Sequence, residues 1–232
     1  MLGLNNVAFL GSLTTAGGIG FDFLDPANIG QPVGGGYFGG LISHTADGNP
    51  THALIVAPAA TGATGTGYTL PDLAWKTTNT ETAGADSDFD GAANLAAMVA
   101  AGIADHPAAQ FCYNLSIGGF NDWYLPSELE HDIVYFNLKP TTATNNTGRG
   151  VNPYAVPPRT ENYTAGSPMQ TTVTVFQAGG SEAFMDAGHW CSNQFALNPA
   201  ERARRFTYLN SGVSVPLKTA VNPVRAFRRI AL

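Results

Sequence analysis

Two periods of hydrophobic positions run along this chain. His52, Leu54 and Val56 interleave with Ala53, Ile55 and Ala57, which predicts a central strand, apolar on both faces, within 51–59. Residues 36–46 predict its partner, joined to it through Ala46-Asp47-Gly48-Asn49-Pro50, a run of turn formers. After Asp90 the period lengthens. Leu95, Met98 and Val99 predict the inward face of a helix over 91–101, stopped by Gly102. Leu129, Ile133 and Phe136 predict a second helix over 127–138. Ser127 and Glu130 have capping-box spacing at its start, and Pro140 ends it. Just before it, Gly118-Gly119 permits a sharp turn, and Trp123, Tyr124 and Leu125 form an apolar anchor. Trp75, Trp123 and Trp190 are expected in the core. From His189 the strand pattern returns, with Asn210-Ser211-Gly212 as a hairpin turn and a last strand over 223–231.

Two stretches carry no period. Residues 1–33 are Gly-rich and too short for a core of their own, so they read as an attachment or oligomerisation arm ahead of a domain over 34–232. Residues 139–187 are Thr, Asn, Pro and Gly with tyrosines spaced among them, the composition of an adaptable recognition surface or of a loop packed on a neighbouring subunit.

Composition narrows the class. Only 12% of the 232 residues are charged while 44% are hydrophobic, which describes a folded, loop-rich, β-leaning chain and excludes a disordered one. No run of eighteen apolar residues is present, so membrane insertion is not expected. Residues 1–20 lack the basic region of a signal peptide, so secretion is not expected either. All 17 acids precede residue 202, beside four of the 11 bases, and the last 31 residues carry the other seven bases and no acid. Arg202, Arg204, Arg205, Arg225, Arg228 and Arg229 alternate there with Phe206, Tyr208, Val224, Phe227 and Ile230. That is the pattern of strands whose arginines bond acids elsewhere, so no nucleic-acid partner is expected. Cys112 and Cys191 lie among aromatic residues and read as buried thiols, with a single bridge open to them if they face each other.

Gly-Phe-Asn-Asp-Trp-Tyr-Leu-Pro-Ser-Glu-Leu-Glu, residues 119–130, resembles the signature of a C-type-lectin-like family found in phage tail and fibre proteins and at the end of some bacterial collagen-like adhesins. Gly36-Tyr37-Phe38-Gly39-Gly40, His189-Trp190-Cys191-Ser192-Asn193-Gln194-Phe195 and Val224-Arg225-Ala226-Phe227-Arg228-Arg229 fit the same family in order. The resemblance implies an α+β, C-type-lectin-like fold with two helices against a small twisted antiparallel sheet and long loops. It also implies a homotrimer, held to virion tail or neck proteins through the arm and binding a glycan or protein of the host surface. The expected place is the virion, assembled in the host cytoplasm. Two other classes stand beside this one: a purely structural decoration or adaptor of the particle, and a bacterial surface adhesin.

Candidate chemistry is sparse. Asp86, Asp88 and Asp90 before Gly91 match the first half of a calcium loop, but Ala97 stands where the bidentate Glu belongs, and Asp90 reads equally as a helix cap. Calcium is the one cofactor candidate. Asn121-Asp122-Trp123 is not the Trp-Asn-Asp calcium motif of sugar-binding lectins, and Asp122 is expected to bond backbone or a C-terminal arginine. A related fold hosts formylglycine-generating enzymes, which use neighbouring cysteines. Here the two are far apart in sequence and five histidines are scattered, so no enzyme is expected. The expected ligand contacts are Tyr154, Tyr163, His189, Asn193, Gln194, Asn198 and Tyr208, which pair aromatic faces with uncharged hydrogen-bonding groups.

Overall fold

Strands β1 (Pro32–Val33), β2 (Gly36–Ile42) and β3 (His52–Val56) form a meander in the computed structural model, which describes residues 20–232. β3 is central, as its two apolar faces require. The C-terminal strand β11 (Phe227–Ala231) pairs antiparallel along its other edge, giving the order β1-β2-β3-β11. A bulge between Phe38 and Gly40 bends β2, and Gly40 has φ 136°. A Cβ there would lie 2.4 Å from Asn137 Nδ2, so glycine lets helix α4 (Glu128–Leu138) press onto the sheet.

The remaining elements are short. β4 (Ala63–Thr64) pairs with β10 (Val224–Arg225), and β5 (Leu73–Ala74) with β9 (Val221–Asn222). β6 (Gly188–Gln194), β7 (Ala203–Thr207) and β8 (Val213–Ser214) make a third small sheet, closed by the turn at Asn210-Ser211-Gly212. Helices α1 (Ala59–Gly62), α2 (Gly91–Gly102) and α3 (Pro107–Tyr113) complete the described residues with α4.

The expected fold class requires correction. Among the described residues, eleven strands in four antiparallel sheets make the fold mostly β, and this is not two helices against one small sheet. The helices at 91–102 and 128–138 do sit where the periodicity places them. The paired two-residue strands have no local pattern at all, since backbone pairing between distant loops creates them.

Two inward faces also differ from expectation. Val99 and Phe136 are each 40% exposed, while Asn94 points inward from α2. α4 is buried on nearly every side, including Glu130, His131 and Asp132. The aperiodic stretch 139–187 accounts for this by folding over the outer side of α4. It buries Ala155, Tyr163, Phe176 and Phe184 in the chain's own second core with Tyr135, Phe206, Tyr208 and Phe227. Residues 20–33 likewise pack on the domain, with Phe23 buried against Phe38 at 5.3 Å between ring centres. The rest of the expected arm, 1–19, lies outside the described residues.

Trp75, Trp123 and Trp190 are buried, and Cys112 and Cys191 are buried free thiols. Four of the six C-terminal arginines bond acids, Arg228 with Asp122, Arg229 with Asp90, Arg204 with Glu128, and the fully buried Arg225 with Glu182, whereas Arg202 donates to Val215 O and Arg205 to Ser214 Oγ and Asn222 Oδ1. No helix among the described residues is long and apolar enough to cross a membrane.

Candidate functional site

The start of α4 opens into a polar cleft. The local cause lies in the residues just before it. Glu130, fully buried, accepts from Ser127 N–H (2.7 Å), Ser127 Oγ (2.8 Å), Tyr124 Oη (2.7 Å) and Gly91 N–H (3.1 Å). Those bonds tie the first turns of α2 and α4 together and set Glu128, at the first position of α4, as a nearly buried carboxylate beneath the cleft. Asn193 on β6 accepts from the Glu128 N–H at 3.2 Å, satisfying one free amide of the helix start. The Glu128 carboxylate is bridged by two guanidiniums, from Arg149 in the long loop and from Arg204 on β7 at 2.8 Å. Arg149 Nε is buried and has no hydrogen-bond partner among the described residues.

Around this charged floor stand Asp88, Pro153, Tyr154, Asn162 and the glycines 148 and 150, enclosing about 360 Å³. Tyr154 stacks face to face on Phe89, with ring centres 3.9 Å apart and planes 8° from parallel, and forms an aromatic wall. The Asp88 carboxyl is pushed up from its usual range, first by desolvation and then by the Glu128 charge. Two carboxylates against two guanidiniums leave the cleft without a dominant sign. Beyond Asn162 lies a second hollow of about 330 Å³, walled by Phe136, Arg159 and Tyr163, with the Arg159 guanidinium 4.8 Å above the Phe136 ring. Asn162 lines both.

The rim is anchored from below by Asp132 on α4. Its carboxylate pairs with Arg159 and accepts from Tyr163 Oη (2.7 Å) and Asn152 Nδ2 (2.9 Å). Asn152 in turn accepts from Tyr154 N–H at 3.1 Å and exchanges backbone bonds with Arg159 at 2.8 and 3.0 Å. The loop that carries the aromatic wall is therefore held in one position before any ligand arrives.

The seven ligand contacts expected from sequence fall in different places. Tyr154 lines the cleft. Asn193 is buried beneath it as the amide partner of Glu128. Tyr163 is buried with its hydroxyl on Asp132. His189 and Tyr208 sit inside the second core. His189 bonds Tyr68 Oη (3.0 Å), Tyr208 bonds His131 Nδ1 (3.0 Å), and the Tyr208 ring stacks on Phe184 at 3.7 Å. Burial pushes the His189 pKa well below its usual value. Gln194 is buried between Thr82, Asp86 and Lys218. Asn198 is half-buried and bonds Glu201 at 3.1 Å.

Asp86, Asp88 and Asp90 do not converge. Asp86 accepts from Gln194, Asp88 faces the cleft, and Asp90 caps α2 at Ala93 N–H (2.9 Å) while pairing with Arg229 (2.7 Å). Among the described residues no group of three His, Cys, Asp or Glu is placed to hold a metal.

Sequence reasoning missed Asp88, Glu128, Arg149 and Arg204 as one constellation. The available signal was scarcity. In a chain with so few charges, an isolated Arg149 in an uncharged Gly-Thr-Asn stretch needs an acid somewhere. No family model matches the chain, and no curated protein matches it.

Proposed function

We propose that the protein is a non-enzymatic component of a phage particle that binds a glycan of the host surface, with the cleft at the start of α4 as its contact site. The observation that carries this reading is the Phe89–Tyr154 stack beside a charge-balanced floor. An aromatic face accepts the apolar side of a sugar ring, while carboxylates, guanidiniums and the Asn162 amide bond its hydroxyls without requiring a charged ligand. The hollow beyond Asn162 extends the surface past a single ring. The signature at residues 119–130 supports the virion setting. Repeated display of the domain on one particle would raise a weak single-site affinity into firm attachment.

The test is adsorption of particles, or of purified protein, to host cells after Tyr154→Ala and after Asn162→Ala. Asn162 is exposed, so its variant should melt as the unmodified protein does, while Tyr154→Ala loses the stack on Phe89 and should melt somewhat lower, so it is assayed where its melt shows it folded. We expect adsorption to weaken by about tenfold, the effect of losing some 1.4 kcal/mol of contact. Unchanged adsorption by well-folded variants would move the protein to the class of structural decorations.

A further inference from the structure

Gln194, at the end of β6, has both ends of its carboxamide fixed. Oε1 accepts from the Thr82 N–H at 2.8 Å and from Lys218 Nζ at 2.5 Å. Nε2 donates to Thr82 O and to Asp86 Oδ1, each at 2.8 Å. Gln194 is 2% exposed and Lys218 fully buried, whereas Asp86 opens to solvent. Lys218 Nζ also contacts Thr80 O (2.9 Å) and Pro199 O (2.6 Å) and lies 4.5 Å from the centre of the Trp75 ring.

A buried lysine surrounded by oxygens usually serves as a held cation, and the neighbouring Lys76 fits that role. Its Nζ donates to Glu81 O at 2.8 Å and Thr82 Oγ1 at 3.0 Å. Lys218 differs in two ways. One of its acceptors is the oxygen of a primary side-chain amide, whose nitrogen can leave as ammonia without cutting the backbone, whereas Lys76 contacts only peptide carbonyls and a hydroxyl. Its ammonium is also disfavoured, because burial first and the Lys76 charge second pull its pKa down to about 8, so some neutral amine is present near neutrality.

We propose that Lys218 and Gln194 form an intramolecular isopeptide bond without any added enzyme, with Asp86 and the Thr82 N–H as the catalytic groups. The lone pair of neutral Nζ attacks Cδ of Gln194, and the carbonyl π pair moves onto Oε1, where the Thr82 N–H stabilises it. Nζ gives up one proton, which reaches Nε2 by way of water and the Asp86 carboxylate. The oxyanion pair returns to carbon, the Cδ–Nε2 bond breaks, and ammonia leaves past the exposed Asp86. An amine and a primary amide have become a secondary amide and ammonia, with no change of oxidation state. The bond ties the end of β6 to the segment between β8 and β9.

The experiment is intact-mass analysis of the purified full chain after incubation at neutral pH, followed by tryptic mapping. We expect the protein to be lighter than its sequence by one ammonia, trypsin to fail after Lys218, and a branched peptide to join Gln194 to Lys218. Lys218→Arg, which keeps the cation and its donors, should have the full sequence mass, and Asp86→Asn should accumulate the lighter form more slowly. A wild-type chain that keeps its full mass overturns the proposal. So does loss of ammonia with Lys218 still cleaved by trypsin, since the loss then lies elsewhere in the chain.

Discussion

Tyr163 donates to the Asp132 carboxylate at 2.7 Å, a bond that spans 31 residues and fastens the long loop to the helix it covers. The same carboxylate takes Arg159 and Asn152, so one buried acid holds three points of the cleft rim. Burial pushes the Asp132 pKa up, and the Arg159 charge and the Tyr163 and Asn152 donors offset only part of that shift.

Replacing Asp132 by Ala strands the half-buried Arg159 guanidinium and two buried donors, so the expected cost is about 3 kcal/mol. Tyr163→Phe removes one partner and should cost about 1–2 kcal/mol. Urea unfolding measures both. Faster hydrogen exchange confined to 148–163 in the Phe variant would show that this bond fastens the loop; exchange unchanged there would show that packing does so without it.

Gly150 turns the rim with φ 123°, and a Cβ there would lie 2.4 Å from the Tyr163 amide nitrogen. Gly150→Ala should therefore destabilise by about 1–3 kcal/mol through strain and crowding. Because Gly150 also lines the cleft, host-cell adsorption should fall with it. A thermal melt equal to the unmodified protein would show that the loop relaxes freely.

Trp123 closes the core behind the signature turn and is 1% exposed, its indole donating to Phe120 O at 3.1 Å. Trp123→Ala removes that volume with no route for the sheet to collapse. A loss of about 3–5 kcal/mol is expected, read as a shift of the denaturant midpoint.

Acid should destabilise the protein through the buried His131 and the half-buried His52. Burial holds His131 down to about 3 from its usual 6.5, and His52 down to about 4. Between those values and 6.5 the unfolded chain binds protons that the folded chain does not. Stability is therefore complete above the unfolded pKa and falls as pH drops through the window. Each such histidine removes up to about 1.4 kcal/mol per pH unit. Denaturation midpoints taken from about pH 7 down to about pH 5 check the slope, and His131→Gln should flatten it even if it lowers stability throughout.

The chain's own pattern was enough for those features that depend on near neighbours. The central β3, the helices after Asp90 and Ser127, the glycine turn before Trp123 and the hairpin at Asn210 all follow from periods, caps and turn residues a few positions apart. The pairing of C-terminal arginines with acids was legible too, because a strand that alternates Arg with Phe must find partners for buried charge. What folding over distance supplies was not legible. The four-sheet architecture rests on two-residue ladders such as Leu73 with Asn222, which no local sequence pattern marks. Asp132 came out buried because the cover over α4 comes from residues beyond 139, and nothing within the helix registers it. For the same reason Tyr154 reached a cleft while Tyr163, nine positions on in the same loop, became its foundation. Side-chain type selects what a residue can bond, but only the packed chain sets whether solvent or Asp132 lies opposite it.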